Sequence, residues 1–373
     1  MIRVLHVIGA MDRAGAETMI MNLYRSIDRE RIQFDFLVHE ERDCDYDEEI
    51  LNLGGSIARV PRFTGLNIAD YQRRVRWALE RLPEDLIVHG HIGSSAAIYL
   101  NEAKRLGRVA IAHSHRQHYP LSAQELAFRA VSFPARYVAD EFLACSVQAG
   151  IDRFGRAVTE GDHFHVLNNG IPVRSYENSD ELYRAAKRKL GFGNVPLVGH
   201  VGRFDKVKNH DFLIEVFDCV RGSRPDARLL LVGQGEREGE IRSLVEARGL
   251  SESVVFYGLA SDVPSVVRAM DAFVMPSFTE GLGMALVEAQ AAGVPCVFSD
   301  GVPESTLLTS SSVRLPLSLG PQVWADRVLE RLNAPKQWSF DADLVRSAGF
   351  DISETAQWLA DYYEGLLTCE RRL

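Results

Sequence analysis

No run of about 18 or more apolar residues, the length that crosses a bilayer as a helix, occurs among the 373 residues. A membrane-spanning helix is therefore not expected. Positive charge is not in excess either: 42 Lys and Arg stand against 51 Asp and Glu, a formal net charge of −9. That acidic balance is spread along the chain, which argues against a nucleic-acid binder, whose affinity needs a positive field or a long basic stripe. Cysteine is sparse and unpatterned. Cys44, Cys145, Cys219, Cys296 and Cys369 show no CxxC spacing, so the expectation is a cytoplasmic protein with reduced thiols. The segment MIRVLHVIGAMDRAG reaches Asp12 and Arg13 after too short an apolar run for a secretory signal. Internal repeats and low-complexity stretches are missing as well. What remains, 46% hydrophobic and 25% charged residues, is a globular composition, and at about 150 residues per domain the length predicts two domains.

Short runs rich in Val, Ile, Leu and Phe (3–9, 34–39, 56–60, 86–91, 108–113, 141–145 and 164–167) alternate with segments of helical length and composition. That alternation predicts βαβ units on a parallel sheet. The polar stretch RSYENSDELYRAAKRKLGFGNVP, 174–196, holds no strand candidate, and the inter-domain connection is placed there. A second series follows in VPLVGHVG, ARLLLVGQG, SVVFYG, AFVMPS, PCVFSD and SSVRLP. The expectation is an α/β protein of two doubly wound, Rossmann-like domains, 1–180 and 181–350, closed by a terminal helix at 351–373 that packs back towards the first domain. Ligands of such sheets bind outside the C-terminal ends of the strands, so chemistry is sought just after each strand, in a cleft that βα loops of both domains feed.

The stretch PSFTEGLGMALVEAQAAGVPCVFSD, 276–300, is the most informative. Between Glu280 and Asp300 its one charged residue is Glu288, in an otherwise small and apolar helix. Such a carboxylate either faces solvent or has a partner, because an unpaired buried charge is costly. Gly281 and Gly283 leave the helix start uncovered, and its N–H groups and positive dipole end suit a diphosphate; the competing reading is a plain glycine turn with a surface Glu. In HVGRFDKVKNHDF, Arg203 and Lys208 follow a strand directly. Two cations there either form an exposed basic loop or receive a diphosphate, Arg by chelation and Lys as a point charge.

Three His-x-His pairs occur: His89/His91, His113/His115 and His163/His165. Residues i and i+2 share a strand face, so metal ligation is conceivable. None has a third ligand at short spacing, and no metal site is expected. LVGQGEREG lacks the third glycine of a dinucleotide fingerprint. DCDYD at 43–47 lies among charges that suit a solvated loop.

The spacing of Glu280 and Glu288, with VGRFDKVKN about 80 residues earlier, resembles the retaining GT-B glycosyltransferases of family four, also called glycosyl transferases group 1. HVIGAMDRAGAETMIMNLY, VLNNGI and LLLVGQGE look like further segments of that family, in the expected order along nearly the whole chain. The similarity is greatest to bacterial exopolysaccharide, capsule and lipopolysaccharide enzymes. The resemblance implies that Arg203 and Lys208 bind the donor diphosphate, and that neither metal nor organic cofactor is needed. Glu280 would hold the donor sugar, with the N–H groups of Gly281, Leu282 and Gly283 facing sugar and phosphate. Glu288 would accept both ribose hydroxyls, and Tyr257, Gly258 and Leu259 would hold the base. Gly15 would lie near the diphosphate, although Ala14 replaces the first glycine of the usual pair. His91 would stand beside donor sugar and acceptor, and His113 and His115 would line the acceptor side.

The function so implied is metal-independent transfer of a hexose-type sugar from a nucleotide-sugar, UDP-linked by the exopolysaccharide likeness, to a glycan or lipid-linked acceptor. A soluble acceptor, such as an aminocyclitol or thiol precursor, is the alternative. A non-hydrolysing UDP-sugar 2-epimerase of the same architecture and a catalytically inert sugar-nucleotide sensor are the competing readings. Arg116 and His118 suit an acidic acceptor or an ordinary solvated loop. Residues 66–82, with Arg73, Arg74, Arg76 and Arg81 among apolar positions, suit either a solvated basic helix face or peripheral contact with the cytoplasmic membrane.

Overall fold

The computed structural model describes residues 1–115, 122–335 and 338–370, so Arg116 and His118 lie outside the described residues. The apolar runs of the first half form seven strands: β1 (Ile2–Ile8), β2 (Ile32–Val38), β3 (Ile57–Arg59), β4 (Ile87–Gly90), β5 (Ala110–Ser114), β6 (Glu141–Ala144) and β7 (Phe164–Val166). They lie in the order β3-β2-β1-β4-β5-β6-β7, each paired in parallel with its neighbours. Helices cover both faces of such a sheet, which is why its strands read as unbroken apolar runs and not as alternating ones. All seven residues of β2 are buried. Its one charge, Asp35, is satisfied by Nε and Nη2 of Arg3, each at 2.6 Å, and by the Ser56 N–H at 2.9 Å.

One face of this sheet packs on Met19, Ile20 and Leu23 of helix Gly15–Ser26 and on Leu359, Ala360 and Tyr363 of helix Ile352–Glu370. The other packs on Tyr71 and Val75 of helix Ile68–Leu79 and Tyr99 and Leu100 of helix Ala96–Arg105. Residues Met1–Ile171 together with Ile352–Leu373 therefore make one unit, and Pro172–Asp351 the other.

The second unit holds β8 (Leu197–Val201), β9 (Arg228–Val232), β10 (Val254–Gly258), β11 (Ala272–Met275), β12 (Cys296–Ser299) and β13 (Val313–Leu315), ordered β10-β9-β8-β11-β12-β13 and again parallel. Trp324, Phe217, Leu229, Leu231 and Val274 belong to its core. The polar stretch 174–196 is part of this unit and contains helix Asp180–Lys189. Buried Lys187 on that helix pairs with Asp271, which also accepts from the Leu197 N–H at 2.8 Å and the Tyr183 hydroxyl at 2.6 Å. A buried pair so completed ties the helix to the sheet, and removing either partner alone costs about 3–5 kcal/mol.

Arg73, Arg74, Arg76 and Arg81 are all exposed, as on a solvated basic face, and each has a partner. Arg73 and Arg74 both contact Asp70, Arg76 donates to Glu102 at 2.6 Å, and the Arg81 guanidinium lies 3.7 Å from the centre of the Trp77 ring. Among the described residues no helix is long and apolar enough to cross a membrane.

Candidate active site

A doubly wound sheet binds ligands beyond its strand ends where the strand order reverses. In the second unit that point lies between β8 and β11, and the two loops there carry Arg203, Lys208 and Glu280. Lys208 Nζ donates to Glu280 Oε1 at 2.7 Å, with side chains 19% and 11% exposed. Backbone geometry brings them together. Asn209, next to Lys208, is the one non-glycine residue with positive φ (54°) among the described residues, a conformation Asn tolerates better than most side chains. Its Nδ2 donates to the Pro276 carbonyl at 3.1 Å, and the Phe278 N–H donates to the Val207 carbonyl at 2.8 Å. The loops after β8 and β11 are thereby sewn to one another. Arg203 is exposed, and its guanidinium has no hydrogen bond or ion pair among the described residues.

Helix Met284–Ala291 starts at this point. Gly283 precedes it with φ 77° and offers no side-chain cap. Added there, a Cβ would strain the backbone and stand 3.1 Å from Val302 Cγ1. The Glu280 N–H donates to the Gly301 carbonyl at 3.0 Å, and Leu282 is buried, so residues 280–283 are held while the helix start stays uncovered. Farther along, Glu288 has the partner its apolar setting requires. Burial pushes its carboxyl up to about 7, against which the Tyr176 hydroxyl acts by donating to the carboxylate.

Gly233 and Gly235 of LVGQGEREG serve close backbone approach. A Cβ on Gly233 would fall 2.1 Å from the Gly202 carbonyl oxygen, and one on Gly235 2.4 Å from that of Phe204. Gly233 N–H donates to the Gly258 carbonyl at 2.9 Å, so the ends of β8, β9 and β10 are stitched into one edge. The register slips between Phe256 and Gly258, a bulge that re-aims side chains. Tyr257 and Leu259 are left 40% and 53% exposed there.

In the first unit the order reverses between β1 and β4. Here stand His6 of β1, His89 and His91 of β4 and its end, and His113 and His115 of β5 and its end. His6 Nδ1 lies 2.9 Å from His91 Nε2, His91 Nδ1 lies 2.7 Å from His115 Nε2, and His89 Nε2 lies 3.1 Å from His113 Nδ1. His89 Nδ1 meets the Tyr363 hydroxyl at 2.7 Å. Burial lowers all five rings, His6 and His115 to about 3, and mutual repulsion or Arg153 adds to it. The third pair is separate: His163 bonds Glu141 at 2.7 Å and His165 packs edge-on to Tyr362. Gly15 opens helix Gly15–Ser26, and a Cβ there would meet nothing within 4 Å.

Sequence reasoning missed Asn209, Tyr176, Gly301 and His6. The missing third ligand for His91 and its neighbours comes from the adjacent strands: His6, His89 and His91, and likewise His91, His113 and His115, offer ring nitrogens within 4.8 Å of one another. The parallel register of β1, β4 and β5 supplies what spacing along one strand does not.

Residues 183–309 match the family described as glycosyl transferases group 1. The chain is 34% identical to EpsF of Bacillus subtilis, to which a glycosyltransferase activity is ascribed, over 97% of this chain and 96% of EpsF. Among solved structures, Alr3699/HepE of Anabaena in complex with UDP-glucose is similar with a TM-score of 0.79 at 19% identity, over 98% of this chain and 100% of that one. WaaG, a glycosyltransferase involved in lipopolysaccharide biosynthesis, follows with a TM-score of 0.74 at 18% identity, over 97% and 100%. At such identities the likeness shows the fold, which is GT-B. The identity to EpsF, running through nearly all of both chains, shows more than the fold: this protein belongs to the group 1 glycosyl transferases.

Proposed function

We propose that the chain transfers a hexose-type sugar from a UDP-sugar to a glycan or lipid-linked acceptor in bacterial surface polysaccharide synthesis, retaining the anomeric configuration and using no metal at the diphosphate. The observation that carries this reading is the Lys208–Glu280 pair beside an uncapped helix start at the β8/β11 reversal. Complexes of the Anabaena neighbour with UDP and UDP-glucose support the donor, and the lipopolysaccharide role of WaaG supports the acceptor class.

In the reaction the bond between the anomeric carbon and the diphosphate oxygen breaks, and its electron pair leaves with UDP. The acceptor hydroxyl oxygen bonds to that carbon from the same face, and its proton passes to the leaving phosphate. Negative charge grows on the diphosphate, so Arg203, Lys208 and the N–H groups of 281–283 act where it develops. Glu280 keeps Lys208 in place and takes sugar hydroxyls. Glu288 accepts the ribose hydroxyls, while Tyr257, Gly258 and Leu259 hold the base. Gly15 approaches the diphosphate, His91 attends the donor sugar, and His113 and His115 face the acceptor.

A thermal-shift panel of UDP, GDP, ADP and TDP with their sugar conjugates, without and with magnesium, tests the donor. Stabilisation by the UDP compounds alone, independent of magnesium, is expected. A shift that needs magnesium, or none with UDP compounds, overturns it.

A further inference from the structure

We infer that His91, His113 and His115 form a three-histidine site for one divalent late-transition ion, of which zinc is the biological member. The inference does not rest on the proposed transfer reaction, and a bound ion would take the place of the sugar and acceptor contacts given above to these three histidines. Their ring nitrogens lie within 4.8 Å of one another, and no carboxylate or thiolate joins the group among the described residues. Nitrogen-only ligands select zinc, nickel, copper or cobalt and disfavour magnesium and calcium, which require oxygen.

Hydrogen-bond arithmetic points the same way. A neutral imidazole has one donor and one acceptor nitrogen. His6, His91 and His115 form a chain of two bonds, so one end is left with an unused N–H and the other with an unused lone pair. Those ends are His6 Nε2 and His115 Nδ1, both buried without a partner, as is His113 Nε2. An ion takes up the unused lone pair of His113 Nε2 and fixes the tautomers, with N–H groups on His6 Nε2 and His115 Nδ1. With His91 Nδ1, His115 Nε2 and His113 Nε2 as ligands, His91 Nε2–H donates to His6. His113 Nδ1–H donates to His89, whose Nδ1–H donates to the Tyr363 hydroxyl. Outer contacts of this kind orient metal-binding histidines and raise their basicity.

The overlapping group His6, His89 and His91 is the poorer choice, because His6 and His89 are both buried. His91 and His115, by contrast, are half-buried and so open to an arriving ion. Zinc–nitrogen bonds of about 2.0–2.1 Å place tetrahedral ligands about 3.3 Å apart, so His91 Nδ1 and His115 Nε2, now at 2.7 Å, need separate only slightly. Three protein ligands leave the fourth position for an exogenous group, as in zinc sites that act on substrates. With neutral imidazoles around the ion and Arg153 acting on His115, that group is an anion.

The test uses the full chain, freed of any histidine tag and stripped with a chelator, then titrated with Co²⁺ and competed with Zn²⁺. One Co²⁺ per chain, with the visible absorption of a nitrogen-ligated ion that Zn²⁺ displaces, is expected. His115→Asn, at a half-buried position, and His113→Asn should each weaken binding at least about 100-fold, while His39→Gln, a histidine outside the cluster, should bind as the parent does. Circular dichroism and the UDP thermal shift report that each variant is folded, independently of the metal. Absence of saturable one-to-one binding by the parent, or parent-like binding by folded variants, overturns the inference.

Discussion

The two sheets reverse their strand order in the same manner, yet the reversals carry opposite electrostatics. At β8/β11 the groups are a lysine, an arginine and a glutamate on loops, held by backbone hydrogen bonds and a left-handed Asn209. At β1/β4 they are five imidazoles on or beside the strands, which burial keeps uncharged. Topology thus supplies the place, and residue type sets its character: charged groups on loops in one unit, uncharged imidazoles on or beside strands in the other.

The sharpest way to break this comparison is Lys208→Ala. It should lower turnover about 10²–10³-fold with a smaller change in donor affinity, because the charge it meets develops in the transition state. Equal loss in kcat and affinity, read by steady-state kinetics and calorimetry, would make Lys208 a ground-state anchor. Next in size is Glu288→Gln, expected to weaken UDP binding about 10–100-fold, the range for hydrogen bonds to a charged group. The carboxyl titrates near 7 when folded and ordinarily at 4.5. UDP affinity of the parent should therefore rise with pH through about 7, and that of the glutamine variant should not. Stability runs the other way. A carboxyl raised by burial keeps its proton in the folded state, so its stabilising contribution is lost as pH rises from 4.5 to about 7. Above that window Glu288→Gln should gain about 3 kcal/mol in chemical denaturation.

Asn209→Ala should cost about 1–2 kcal/mol from its left-handed backbone and slow turnover by loosening Lys208. Asn209→Gly should recover the backbone part alone, and equal stability of the two variants would remove the strain argument. The smallest effect is expected from Tyr363→Phe, about 0.5–1.5 kcal/mol for one hydrogen bond, with UDP binding unchanged. A change in UDP binding would erase the separation drawn between the two reversals.

The strands were legible because parallel strands covered on both faces are written as apolar runs: FDFLV and AFVM could be read directly. Arg203, Lys208, Glu280 and Glu288 were legible as departures from their surroundings, a charge just after a strand or inside an apolar helix. Tyr176 was not, since it lies more than a hundred residues from Glu288, and neither was the left-handed turn at Asn209. The histidine cluster stayed hidden for a different reason: each pair is visible in its own strand, but register between strands decides which pairs meet. The 174–196 stretch misled because its polar composition suits a linker, whereas Lys187 is buried against Asp271.

The first unit is discontinuous in sequence, and this bears on how the protein is made. Its core includes Leu359, Ala360 and Tyr363, so during synthesis seven strands stand ready beside an open hydrophobic face while the whole second unit is translated. Pro172–Asp351 can fold as a continuous piece in that interval, as domains commonly do in turn. The half that begins first therefore finishes last, with part of its apolar core uncovered until the final helix is made.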